Sequence, residues 1–276
     1  MIFMNNSITQ NATRALLYEV VTLPKPGLVD PLSPGPHQDM NIYTFIDSSL
    51  SLTNYFTAAF NIGHDFKAAD LTEMFFKLRQ KGIAAEKDMF QATNGINTHK
   101  GAIFALGIFV CAESYCQKNQ TEIFTTIKKM CTGLVEHDLK LNNQLKTAGE
   151  KEFQQYGAGG AREQAELGYP IVRDVALPFL KKRTGNLQTR LLDTLMKIAT
   201  VTVDSNLIKR AGNYEIINWL QNKAASYLKL GGYNSAAGKK YLQELNQECL
   251  EKNYSLGGCA DLLIVTIFMA LERDYL

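Results

Sequence analysis

Apolar residues recur at three- and four-residue steps along most of the chain, and this period restricts the fold more than any other feature. Ile8, Ala12, Ala15, Leu16, Val20 and Leu23 open the pattern. They predict a helix that stops at Pro24 and Pro26, because proline lacks an N–H and restricts the residue before it. Ile42, Phe45, Ile46, Ser49, Leu50, Phe56 and Phe60 trace one face of a second helix over 42–60. Similar spacing covers 71–78, 122–135, 187–203, 216–228, 241–250 and 262–271. No sustained period-two run flanked by hairpin turns is present, so no sheet is expected. The expectation is an all-α fold, one compact domain over residues 1–276 built from roughly ten helices packed on one another.

The remaining composition narrows the setting. A chain of 276 residues is long enough to bury a substantial core without covalent staples. Its five cysteines, Cys111, Cys116, Cys131, Cys249 and Cys259, are odd in number, scattered and without a CxxC pair. That pattern argues against a disulfide framework or a structural zinc and for a reducing cytoplasm. The opening MIFMNNSITQ lacks the positively charged start and apolar core of a signal peptide. The longest apolar stretch, 101–112, is about half the ~20 residues a bilayer span needs, so a buried core helix is expected there and no membrane partner. A net charge of +2 with interspersed signs provides no basic face for nucleic acid. Any polyanionic ligand must therefore be held by local charge.

Six polar, glycine-bearing stretches interrupt the helical pattern. The first, PKPGLVDPLSPGPHQDM over 24–40, carries five prolines with Lys25, Asp30, His37 and Asp39. Proline stiffness lowers the entropy lost in ordering such a loop, which suits a binding loop as well as a rigid connection. The second, ATNGINTHKGAIF over 92–104, sets Asn94, Asn97, Thr98, His99 and Lys100 at the start of the apolar run. Amide donors, a lysine and the positive end of a helix dipole make a phosphate site, although Asn97 or Thr98 could simply cap the helix. The third, over 147–170, joins a glycine-rich turn to Glu150, Arg162 and Glu166, without the spacing of a P-loop.

DSNLIKRAG, over 204–212, combines Asp204, Asn206 and Arg210: oxygen ligands suited to Mg²⁺ and a cation suited to phosphate, or else an N-cap followed by solvated bases. LGGY, over 230–233, and SLGGCADLL, over 255–263, complete the set. In the last, Gly257 and Gly258 lead into an apolar helix with Asp261 in its first turn, so an anion nest and a metal ligand fall together. Each stretch is weak evidence alone.

Taken in order, KPGLVD, GPHQDM, NGINTHKG, TAGE with YGAGGARE, DSNLIKRAG and SLGGCADLL closely resemble the signature of the triphosphoribosyl-dephospho-CoA synthase family, from about residue 14 to the C-terminus. Two departures stand out. Where the family pattern reads GARGEA this chain has GAREQA, with Glu163 and Gln164, and SPGGSADLL becomes SLGGCADLL, with Leu256 and Cys259. The resemblance implies an all-α enzyme that transfers the triphosphoribosyl part of ATP to the ribose hydroxyl of 3'-dephospho-CoA and releases adenine. ATP is then the co-substrate and Mg²⁺ the implied cofactor. The product would be the prosthetic-group precursor of the acyl carrier protein of citrate lyase or malonate decarboxylase, which links the chain functionally to that carrier protein and its transferase. The sequence leaves a homodimer open.

Breaking an N-glycosidic bond builds positive charge at the anomeric carbon, so the reaction calls for a nearby carboxylate, a base for the attacking hydroxyl and a proton for adenine. Asp39 is the candidate base or charge stabiliser and Glu166 its partner, with His99 as the competing base because an unperturbed imidazole titrates near ~6.5. Lys25, Lys100, Arg162 and Arg210 are the candidates for the triphosphate, joined by His37 and Asn97 as substrate contacts, and Asp204 and Asp261 for Mg²⁺. Two other functions remain at this stage: a nucleotide N-glycosyl hydrolase, with water as acceptor, and a non-catalytic nucleotide-binding regulator of a lyase complex.

Overall fold

The computed structural model describes residues 2–140 and 159–276. Among these residues it contains thirteen α-helices, short π and 3-10 turns, and no strand beyond one isolated bridge between Asp30 and Ser33. The helices are α1 (Ile2–Val21), α2 (Ile42–Ser51), α3 (Thr53–Asp65), α4 (Thr72–Ala92), α5 (Lys100–Asn119), α6 (Ile123–Met130), α7 (Gly160–Glu166), α8 (Leu177–Lys182), α9 (Leu187–Ala199), α10 (Ser205–Ala211), α11 (Ile216–Lys229), α12 (Ala236–Glu251) and α13 (Gly257–Glu272). The all-α expectation holds. No described helix is long and apolar enough to cross a membrane.

Two helices form the centre. From Ala102 to Cys116 nearly every side chain of α5 is buried, and from Cys259 to Leu271 the same is true of α13. A helix apolar on all sides has no face to offer water and must be enclosed by others. The two run parallel: Gly101 packs on Asp261 near their starts, and the carboxylate of Glu113 receives both Arg273 guanidinium nitrogens at 2.8 and 2.9 Å near their ends. The offset is 160 residues at each point (261 − 101 and 273 − 113). Helix α1 packs antiparallel to α13, with Asn11 donating to Glu272 at 2.8 Å, so its far end carries Glu19 toward the start of α13.

Glycines let this centre close tightly. A Cβ on Gly63 of α3 would lie 2.0 Å from the carbonyl oxygen of Cys111, and one on Gly107 would lie 1.9 Å from the Tyr55 hydroxyl. That hydroxyl donates to the Ile103 carbonyl at 3.0 Å, which fixes α3 against α5.

The periodic stretch over 42–60 is two helices rather than one. Hydroxyls compete with the backbone at the junction: Ser49 donates to the Phe45 carbonyl (2.7 Å), Ser51 to Ser48 (2.7 Å) and Thr53 to Leu50 (2.9 Å). Side-chain bonds of this kind bend or interrupt a helix, and the chain breaks at buried Leu52. The expected 71–78 segment extends to Ala92, whereas the 122–135 segment ends at Met130, ahead of Gly133 with φ +77°.

Gly63→Ala is expected to lower unfolding free energy by about 2 kcal/mol despite alanine's better helix propensity, because the carbonyl it meets is backbone and cannot turn away. Urea titration followed by circular dichroism measures this.

Candidate active site

A cleft of about 690 Å³ opens where α5 and α13 begin. Its walls include Glu19 from α1, Lys25 and His37 from the proline-rich loop, Asn97 to Gly101 from the start of α5, Asn206 from α10, and Gly257 and Asp261 from α13. Parallel packing makes this arrangement unavoidable. The first turns of two buried helices, each with a positive dipole end, face the same space.

Asp261 lies on the α-carbon of Gly101: a Cβ there would sit 1.9 Å from Oδ2, so only glycine admits the carboxylate at this point. No described group donates a hydrogen bond to Asp261. Burial pushes its pKa well above the ordinary carboxylate value, and the charges of Asp204 and Glu19 add to the rise.

Glu19 and Lys25 form a buried ion pair on the adjoining wall, 2% and 1% exposed. The Lys25 ammonium donates to the Glu19 carboxylate and, at 2.7 Å, to the Glu19 carbonyl. Burial raises the pKa of Glu19 and lowers that of Lys25, each opposed by the partner's charge. The loop is anchored by Asp30, whose carboxylate accepts from the backbone of Lys25 (3.1 Å), Leu32 (2.9 Å) and Ser33 (3.0 Å). Lys25 is thus a cleft residue, but its charge is already met within the protein.

His99 ends the turn before α5 and is 2% exposed. Its Nδ1 lies 2.7 Å from the Ser48 hydroxyl, which also accepts from Thr98 at 2.7 Å. Its Nε2 is buried with no hydrogen-bond partner among the described residues. An unpartnered buried donor or acceptor of this kind costs about 1–3 kcal/mol. Burial, reinforced by Lys25, depresses the His99 pKa to about 3. It is therefore uncharged near neutrality and poorly suited to the base role considered above. Lys100 pairs with Glu86 at 2.9 Å on the cleft rim; the N-cap position is His99 rather than Asn97 or Thr98, and Asn97, which lines the cleft, accepts from the Lys100 backbone at 3.3 Å.

Five of the residues singled out from sequence do not line the cleft. Asp204 is fully buried, and its carboxylate accepts from the backbone of Asn206 (2.9 Å) and Leu207 (3.2 Å) at the start of α10 and from Cys259 (2.9 Å) at the start of α13. It joins two helix starts, and a metal-ligand role does not fit it. Glu166 accepts from the backbone of Gly133 (3.2 Å) and Val135 (2.8 Å), which ties α7 to the turn after α6. Arg162 donates to Asp138 at 3.0 Å, and Asp138 also holds Arg79 through two bonds of 2.8 and 2.7 Å. Arg210 donates to the Asn253 side chain (2.6 Å) and to His37 Nδ1 (3.2 Å), acting behind the cleft to set the loop. Asp39 is exposed on that loop beyond His37. The 147–158 part of the third motif, with Glu150, lies outside the described residues.

One cleft residue, Glu19, and one residue behind the cleft wall, Ser48, escaped the sequence reading. Glu19 follows Ala12, Ala15 and Leu16 on the buried stripe of α1, and an acid on a core-facing stripe is itself a signal. Ser48 had no comparable mark, since serines are common at helix positions of every kind.

Comparison with known proteins agrees in extent. A family described as ATP:dephospho-CoA triphosphoribosyl transferase matches residues 5–276. A probable 2-(5''-triphosphoribosyl)-3'-dephosphocoenzyme-A synthase of Lactiplantibacillus plantarum is 50% identical over 274 residues, 98% of each chain. Protein CitXG of Leuconostoc mesenteroides subsp. cremoris is 50% identical over 274 residues, which cover 96% of this chain and 59% of that protein. A probable synthase of the same description from Citrobacter koseri is 39% identical over 267 residues, 94% of this chain and 88% of the relative. No solved structure matches the chain.

Asp204→Ala is expected to remove two helix caps at once and lower stability by about 2 kcal/mol in urea titration without ligand. A variant with unchanged stability but weakened Mg²⁺ dependence would return Asp204 to the metal.

Proposed function

The chain belongs to the family of ATP:dephospho-CoA triphosphoribosyl transferases, and from that premise we infer how its cleft divides the work. It is a transferase that moves the triphosphoribosyl group of ATP to dephospho-CoA with release of adenine. The bond between the anomeric carbon and the adenine nitrogen breaks, a bond to the acceptor ribose hydroxyl forms, and the proton lost by that hydroxyl balances the one adenine gains. The observation that carries the assignment is Asp261: a carboxylate without a hydrogen-bond donor, beside the start of α5, in a cleft that also holds a buried acid–lysine pair.

The triphosphate is assigned to the start of α5, where backbone N–H groups, Lys100, Asn97 and the dipole of a long helix converge. His37, held by Arg210, donates from the opposite wall: its Nδ1 accepts from the guanidinium, so its other nitrogen carries the proton. A carboxylate and a triphosphate share one wall only with a cation or proton between them. Among the described residues no group of three His, Cys, Asp or Glu is arranged to hold a metal ion. The donor set therefore fits Mg²⁺ bound mainly by the triphosphate and touching the protein through Asp261, the usual manner for this ion. When bound, the ion supplies neutralisation of triphosphate charge.

Glu19 is assigned to receive the proton of the attacking hydroxyl. Burial raises its proton affinity, while Lys25 keeps it ionised in the resting state. Asp39 and Glu166 have no part in this step. The enzyme's setting is the reducing cytoplasm, a reading supported by five buried, unpaired cysteines. Its product serves as the prosthetic-group precursor of the acyl carrier protein of citrate lyase or malonate decarboxylase.

Incubation with ATP, dephospho-CoA and Mg²⁺ should release adenine and yield a coenzyme adduct of the corresponding mass. Free triphosphoribose without adduct would indicate hydrolysis instead, and ATP binding without adenine release would indicate a regulator. Asp261→Asn should keep its melting temperature within a few degrees and weaken Mg²⁺-dependent ATP binding by about tenfold or more, the loss of one charged ligand contact. Unchanged Mg²⁺ titration and turnover would remove Asp261 as a ligand.

A further inference from the structure

The tautomer of His99 is decided by a residue that does not line the cleft. Ser48, on α2, is fully buried. Its hydroxyl oxygen accepts from Thr98, and among the described residues the acceptor in reach of its own hydrogen is His99 Nδ1, 2.7 Å away. A ring nitrogen that accepts cannot carry the proton of a neutral imidazole, so the proton sits on Nε2. Phe45 holds the ring edge-on at 4.9 Å and 80°. The result is an oriented, buried N–H donor on a residue that lines the cleft, with no acceptor among the described residues.

We propose that Ser48 locks His99 as an uncharged Nε2–H donor, and that this N–H donates a hydrogen bond to ring nitrogen N7 of the departing adenine. The assignment rests on the transfer reaction inferred above. As the glycosidic bond breaks, its electron pair passes to the purine, and N7 shares the charge that develops. A hydrogen bond there strengthens through the transition state, when it lowers the barrier most. His99 keeps its proton throughout; adenine is balanced by the proton that the acceptor hydroxyl loses. An uncharged donor suits this place for two reasons. The Lys25 ammonium nearby opposes a second positive charge, and a neutral imidazole acts as an electrophile without having to titrate. Ser48 is a positioning residue and His99 the group that touches substrate.

Two measurements separate the parts of this proposal. Nitrogen-15 chemical shifts of His99 in the whole protein report the tautomer directly, without any reaction. The wild type should show a protonated Nε2 and an unprotonated Nδ1, and Ser48→Ala should lose that pattern; a protonated Nδ1 in the wild type, or no change in Ser48→Ala, overturns the lock. The second measurement is kcat/KM for ATP against 7-deaza-ATP, which lacks only the N7 acceptor. The preference for ATP should fall tenfold or more in His99→Phe and in Ser48→Ala, mainly through kcat. If both variants keep the wild-type preference, the purine contact is overturned while the transferase reading stands. If the wild type releases no adenine from ATP in the presence of dephospho-CoA, the transferase reading fails and the purine contact fails with it.

Discussion

Enclosure of two helices that are apolar on every side is the constraint on which the rest of this structure depends. Neither α5 nor α13 can present a face to water, so both occupy the centre and the remaining helices are laid around them. Because they pack in parallel at a constant offset, their first turns meet at one end of the molecule. Helix starts carry unsatisfied N–H groups, and bringing two of them together creates a region that favours negative charge. Asp204 answers part of that demand by capping α13 and α10 at once. The start of α5 is left facing the cleft.

The electrostatics of the cleft follow from the same crowding. Burial raises the proton affinity of Glu19, Asp204 and Asp261, and the charges of Asp204 and Glu19 add to the rise at Asp261. Lys25 is the buried cation among them, and the penalty of burying it is offset by two oxygens that its ammonium bonds, the Glu19 carboxylate and the Glu19 carbonyl, with the charge of Asp30 adding to them. A surplus of negative charge beside a helix start is what a cation-bearing polyphosphate complements. Burial lowers the proton affinity of both histidines at the wall, reinforced at His99 by Lys25 and at His37 by Arg210, whose guanidinium donates to His37 Nδ1. The Ser48 hydroxyl lies 2.7 Å from His99 Nδ1.

The sequence was a better guide to segments than to atoms. The proline-rich loop, the NGINTHKG stretch and the SLGGCADLL stretch all reach the cleft, and His37, Asn97, Lys100, Lys25, His99 and Asp261 line it. Asp204, Glu166, Arg162 and Arg210 belong to the motifs but do not line the cleft, each joining segments far apart in the chain through hydrogen bonds to backbone or to another side chain. Composition and spacing cannot separate these two uses. A carboxylate that caps a distant helix and a carboxylate that faces a ligand look the same in a motif, and only the position of the nearest donors tells them apart.

Helical period, the proline stops and the wholly apolar 101–112 stretch followed from residue chemistry alone, because backbone geometry makes local spacing visible in the sequence. The order of the motifs was equally legible. What only the tertiary structure decided was the parallel sense of α5 and α13, and with it the meeting of Gly101 and Asp261 across 160 positions of chain. The placement of Glu19 beside Lys25 and of Ser48 against His99 was decided there too. Burial, proton position and the absence of a competing donor arise from neighbours distant in sequence, so no local pattern could contain them.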